Sequence, residues 1–445
     1  MLPEPTPARK RFDPARAAGY AHTYSRRTLM RRLAVPALLF LAAAAAAQDW
    51  PAFRGPDGSG TSPAAAPLTW SATKNVVWKT DLPGAGTSTP VVVGGRVFVT
   101  CYSGYAPGQP RDKQAALKFH VVSLDRATGK VQWTRDVAPK LPESDNTRDG
   151  HGYASATPAA DATRLYTFFG KTGVIAFDHA GQELWRADVG SQLHGGGWGS
   201  GASVVLAAGK LIVNASIESE SLVALDPATG KEAWRLRGVK DAWNTPVLAT
   251  HGGRTELVMA SFGKLFAVDP ATGRELWRSA TDIPWYMVPS VVVGDGVAYA
   301  VGGRNPGGAL AVKLGGSGDV TRTHRLWTSN KGTNVPSPVL HDGHLYWMHD
   351  NQGMAFCAEA KTGRVVYEER VGRGDGIYGS PVLAGGRIYY PGRSGTMYVV
   401  AAKPAFELLA SNTFGERGDF LSSPAVAGGR LYLRANRYVC CVGER

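Results

Sequence analysis

Residues 222–234 read LVALDPATGKEAW, and near copies stand at 121–133 (VVSLDRATGKVQW), 174–185 (VIAFDHAGQELW), 265–277 (LFAVDPATGRELW) and 354–367 (MAFCAEAKTGRVVY). The alternation ahead of the acidic residue is strand-like. The Asp-x-Ala-Thr-Gly link suits a tight turn in which Asp accepts backbone N–H groups and Gly takes positive φ. A second element precedes each copy: STPVVVGGRVFV (88–99), NTPVL (244–248), PSVVVGDGVAYA (289–300), PSPVLHDGHLYW (336–347), GSPVLAGGRIYY (379–390) and SSPAVAGGRLYL (422–433). Each reads as a hairpin. Aligned on the Pro position, the units begin at Pro90, Pro158, Val204, Pro246, Ser290, Pro338, Pro381 and Pro424, with spacings of 68, 46, 42, 44, 48, 43 and 43.

Hairpin plus Asp-Gly turn makes a four-stranded meander, and a ring of such sheets hides its strand edges. The expected fold is all-β: an eight-bladed β-propeller of four-stranded antiparallel blades. The last unit ends at RYVCCVGER without a fourth strand, whereas NVVWKTDL (75–82) is an orphan strand near the start. The N-terminal strand is therefore expected to complete the last blade. The long first spacing reflects insertions at 103–118 and 139–150, which read as loop. Blade seven replaces the consensus with VVAAKPAFELL (399–409), and blade five stretches its turn with GGSGDVTRTHRLW (315–327).

The chain divides into an N-terminal extension with an export signal (1–47), a segment leading into the ring (48–77) and the propeller (78–445). Arg31 and Arg32 precede the apolar run 33–47, and Ala45-Ala46-Ala47 before Gln48 has the form of a signal peptidase site. Fifteen residues fall short of the roughly 20 a membrane span needs, so no span is expected in the mature chain. Residues 25–30 (SRRTLM) resemble a twin-arginine export motif, and Met30 is an alternative start. The expected location is periplasmic or secreted, by the Sec or the Tat route.

The formal charge is +13, but residues 1–47 hold eight Lys/Arg against two Asp/Glu, leaving +7 for the rest. No basic run with interleaved aromatics follows residue 48, so nucleic acid is not an expected partner. Four cysteines, Cys101, Cys357, Cys440 and Cys441, are too few for a disulfide scaffold. The adjacent Cys440 and Cys441 lie in a strand-like stretch whose side chains alternate faces, and read as independent thiols.

Trp133, Trp185, Trp234 and Trp277 recur after their turns, with Trp78 and Trp327 in matching places. A buried Trp removes roughly 150–250 Å² from water, on the order of 4–6 kcal/mol as an upper bound. Packing between blades is role enough for these six.

The A-x-D-x-x-T-G-K-x-x-W motif resembles the tryptophan-docking repeat of the pyrroloquinoline quinone (PQQ) propellers over most of residues 78–445. The resemblance implies the propeller fold. It also implies two kinds of relative: quinoprotein alcohol dehydrogenases, and the non-enzymatic BamB-type proteins of outer-membrane barrel assembly. The start of the mature region, DWPAFRGPDGSG (49–60), resembles the opening of exported PQQ-like repeat proteins.

Loops joining one blade's outer strand to the next blade's inner strand should surround one mouth, where propeller function sits. They carry His151, Tyr153, His194, Trp198, Trp243, Asn244, Trp285, Tyr286, Asn334, Asp375, Tyr378, Arg417 and Asp419. Aromatic surfaces with convergent polar groups suit a ligand or peptide; the alternative is that they only cap the channel. The chain is read as a non-catalytic scaffold binding a protein or peptide of the cell envelope, with no cofactor or metal. A PQQ- and Ca²⁺-dependent alcohol or sugar dehydrogenase is the first alternative. A polysaccharide-binding propeller is the second.

Overall fold

The computed structural model describes residues 48–444 except 145, 148–150, 305, 373–374 and 416–418. The export segment and Arg417 lie outside them. Among the described residues the strands form eight sheets, which we number as blades: 91–137, 159–187, 205–237, 247–280, 292–329, 339–370, 382–413 and 425–442. No helix there is long and apolar enough to cross a membrane. The first insertion, read as loop, carries a 3₁₀ helix at Arg111–Ala116.

Blade 8 takes its outer strand, Val76–Asp81, from the N-terminal side, antiparallel to Tyr438–Val442. Cys440 pairs with Lys79 and Cys441 with Trp78 in that ladder, and both thiols are buried and free. Blade 5 departs from the Pro alignment by one residue: its inner strand begins at Val292, as that of blade 1 begins at Val91. Val291, not Ser290, thus holds the Pro90 position.

The turn of residues 226–230 shows why the repeat is written as it is. Asp226 Oδ1 accepts the N–H groups of Ala228 and Thr229 at 3.0 and 2.8 Å and the Thr229 hydroxyl at 2.9 Å. Those bonds, the Thr229 hydroxyl first, hold the Asp226 carboxyl below its usual range. Gly230 sits at φ +73°, against the ring of Trp185 from the preceding blade. Trp185 Nε1 donates to Pro227 O in the same turn at 3.1 Å.

Each blade's Trp docks on the next blade's turn in this way. Trp78 donates to Arg126 O, Trp133 to His179 O, Trp234 to Pro270 O and Trp327 to Ala360 O, at 2.9–3.0 Å. Trp277 differs because the next turn is the stretched one of blade 5. Its Nε1 donates to Glu256 Oε2 of its own blade at 2.7 Å. Gly318–Asp319 of the stretched turn then adds a parallel strand over it, leaving Trp277 fully buried.

Residues 49–62 lie across the turn end of the inner strands. Trp50 exchanges both backbone hydrogen bonds with Val92, and Pro51 O accepts Ala160 N–H. Thr61–Ser62 pairs in parallel with Leu383–Ala384. Between these anchors the buried Arg54 donates to Gly58 O, Ser59 O and, across the ring, Pro338 O. The segment stoppers the channel from below. Burial lowers the Arg54 pKa to about 10, against the attraction of the Asp57 carboxylate.

Candidate binding site at the channel mouth

Two positions ahead of each inner strand stands one hydroxyl residue, at Thr89, Thr157, Ser203, Thr245, Ser290, Ser337, Ser380 and Ser423. They form a crown at the channel neck. Each backbone N–H from Thr89 to Ser380 donates to the hydroxyl of the next blade, seven links of 2.8–3.2 Å. At the seam between blades 8 and 1 the buried Arg434 and Ser422 bind Ser88 O at 3.2 and 3.1 Å.

Above the crown is a cavity of about 320 Å³ lined by all eight crown residues. Phe53 of the stopper segment also lines it, so the cavity is a cup. Its upper wall is uneven. From blades 2 to 5 come Trp198, Trp243 and Tyr286, with Trp198 and Trp243 each about 5 Å from Tyr286 between ring centroids. Trp243 Nε1 donates to Gly199 O at 2.9 Å, tying two loops together. Across the cup stand Asn334, Asp350, Asn351, Tyr378, Arg304 and Arg393. The Arg393 guanidinium lies 4.4 Å from the centroid of the Tyr378 ring, a cation–π distance.

Of the residues expected at the mouth, His151, Trp198, Trp243, Tyr286, Asn334 and Tyr378 line the cup. His194 stands behind, stacked on Trp198 at 4.8 Å with Nε2 on Asp241 Oδ1 at 3.2 Å. Trp285 packs on Tyr286 from outside. Asn244 is buried and ties Ala260 O to Met287 O. Tyr153 sits against both insertions, its ring 5.8 Å from that of Tyr105 and its hydroxyl on Ser144 O at 2.7 Å. Asp375 accepts from Ser394, and the exposed Asp419 is not part of the lining.

Sequence reasoning missed Phe53, Arg304, Asp350, Asn351, Arg393 and the crown. Arg304, Asp350, Asn351 and Arg393 come from turns between the second and third strands, which reach the same rim as the inter-blade loops. The crown was visible as the Ser or Thr of every unit.

Two carboxyls are buried near the cup, Glu143 in the insertion at 139–150 and Glu218 in the short helix Ser216–Ser219. Desolvation pushes Glu143 up to about 8, against the attraction of Lys171 and with repulsion from Glu218. Glu218 is pushed up to about 7 by the same cause.

Asp350 is the carboxylate lining the cup among the described residues. Its Oδ1 accepts Asn334 N–H at 3.3 Å and its Oδ2 the Asn351 amide at 2.8 Å. Asp241, Asp282 and Asp375 are engaged with His194, Arg325 and Ser394.

The family model described as outer membrane protein assembly factor BamB matches residues 117–369. Among solved structures, BamB from Moraxella catarrhalis is similar at 15% identity and a TM-score of 0.59, covering 83% of this chain and 97% of that one. Quinohemoprotein alcohol dehydrogenase from Comamonas testosteroni is similar at 13% and 0.62, covering 90% and 82%. A europium-containing methanol dehydrogenase follows at 13% and 0.59, covering 87% and 89%. At such identities the likeness is one of fold. No curated protein matches the sequence.

Proposed function

Because the chain belongs to the family of PQQ-repeat propellers described as outer membrane protein assembly factor BamB, we propose that it is an exported, non-catalytic scaffold of the cell envelope. In this reading its mouth holds a segment of another protein. The carrying observation is the uneven cup. Trp198, Trp243 and Tyr286 supply flat apolar surface on one side, and Asn334, Arg304 and Arg393 supply hydrogen-bonding groups on the other. Peptide recognition needs that combination, apolar area for side chains and fixed partners for the backbone.

Capture from an envelope extract tests the reading. The mature protein retains a polypeptide, and Trp243→Ala or Tyr378→Ala loses it. Unchanged capture by both variants removes the mouth from consideration. Stoichiometric PQQ binding with Ca²⁺ and turnover of an alcohol would replace the scaffold by an enzyme, and retention of a glycan would replace the protein partner. Export rests on the run 33–47 and the Ala45-Ala46-Ala47 site. N-terminal sequencing of the exported protein checks it, with Gln48 expected first.

A further inference from the structure

The cup has a chemical polarity. Seven crown hydroxyls each accept a backbone N–H, and among the described residues none of the eight donates to a protein acceptor. All eight are more than nine-tenths buried and line the cavity, so their protons remain for what enters it. Above them Arg304 and Arg393 line the same cavity, and neither pairs with a carboxylate among the described residues. Donors therefore outnumber acceptors. Among the described residues two acceptors matter: the Asp350 carboxylate, which lines the cavity and is already held by Asn334 N–H and the Asn351 amide, and the buried Asn334 Oδ1, which has no donor.

Width and depth restrict the shape of the occupant. Crown neighbours joined by one N–H···O bond place their Cα atoms about 5 Å apart, so eight of them close a ring roughly 13 Å across between Cα atoms. Once wall atoms are counted, an α-helix of about 10–12 Å cannot enter, whereas one extended chain can. It cannot pass through, because Phe53 and the stopper segment close the far end.

We propose that the cup receives the free C-terminus of an extended polypeptide. The α-carboxylate meets the crown hydroxyls and Arg393, a backbone N–H meets Asn334 Oδ1, and an apolar side chain near the end lies on Trp243 and Tyr286. A dead-end channel selects a chain end over an internal segment. A donor-rich wall selects the carboxylate end over the ammonium end. The inference rests on the mouth reading above and narrows it.

The test compares N-acetyl-Gly-Ala-Leu-Phe as free acid and as C-terminal amide, by calorimetric titration into the mature protein. The acid is expected to bind at least ten-fold more tightly. The double variant Arg304→Gln/Arg393→Gln, with wild-type circular dichroism and melting, should bring the acid down to the amide and leave the amide unchanged. Equal binding of acid and amide by the wild type overturns the carboxylate inference and leaves the mouth standing. Binding of neither, while capture from the extract still depends on Trp243, also overturns this inference alone. Capture indifferent to the mouth variants overturns the broader reading. The wild-type comparison decides even if the double variant fails to fold.

Discussion

Replacing Gly273 by Ala should test the docking of Trp234 quantitatively. Gly273 sits at φ +73°, and a Cβ there would lie 2.4 Å from Trp234 Cε3 and 2.6 Å from Cδ2. Two costs follow. The left-handed backbone with a Cβ costs about 1–2 kcal/mol. The indole must also shift, losing its bond to Pro270 O, worth about 1 kcal/mol, and part of the roughly 4–6 kcal/mol of burial. The sum is about 3–5 kcal/mol. Gly343 supplies the control, since its φ is +70° and nothing lies within 4 Å of its virtual Cβ. Gly343→Ala should cost only the backbone share, about 1–2 kcal/mol. Urea denaturation followed by far-UV circular dichroism measures both. In a Trp234→Ala background Gly273→Ala should fall to the control value, a coupling of about 2–3 kcal/mol. Equal losses at Gly273 and Gly343, or no coupling, would refute the docking argument.

Two further outcomes can be measured the same way. Glu218 keeps its proton in the folded protein up to about pH 7, whereas an unfolded Glu loses it near pH 4.3. The folded state therefore binds the extra proton between these values, and stability falls as pH rises through the window, by at most about 1.4 kcal/mol per pH unit; Glu143 extends the fall to about 8. Glu218→Gln should match the wild type at pH 4.5 and exceed it by about 2–4 kcal/mol at pH 8; a gain independent of pH would contradict the assignment. Arg54→Ala leaves Gly58 O, Ser59 O and Pro338 O without their donor. It should cost roughly 3–5 kcal/mol and speed proteolysis near residues 50–62, and a loss under about 0.5 kcal/mol would show that the segment does not brace the ring.

The architecture was legible because its determinants are local and repeated. Asp226, Gly230 and Trp234 each act within one turn or on the adjacent blade, so spacing in sequence becomes spacing around the ring. Legibility failed where a long-range contact replaced the local one. Nothing in residues 315–327 says that Glu256 will take the Trp277 N–H, and nothing before Ser290 marks Val291 as the stand-in for Pro90, because Val fits either position. The mouth was readable in part for the same reason. Trp198, Trp243 and Tyr286 come from loops of one kind, whereas Arg304 and Arg393 come from turns whose shared rim is a property of the closed ring. Phe53 reaches the cup from a segment that crosses the channel, which no periodicity records.

The seam between blades 8 and 1 sets the order of events in biosynthesis. In seven blades the four meander strands follow one another in the chain, and their short-range pairings can form as the polypeptide lengthens. Blade 8 cannot, since Val76–Asp81 must wait for Tyr438–Val442. Holding that strand against its distant partner means closing a loop of more than 350 residues, an entropic charge on the order of 5 kcal/mol. Until it is met, the arc of blades has two open sheet edges, and an open edge pairs with whatever strand is near. Newly made chains at high concentration should therefore exchange their N-terminal strands and form domain-swapped rings, the hazard native to this topology.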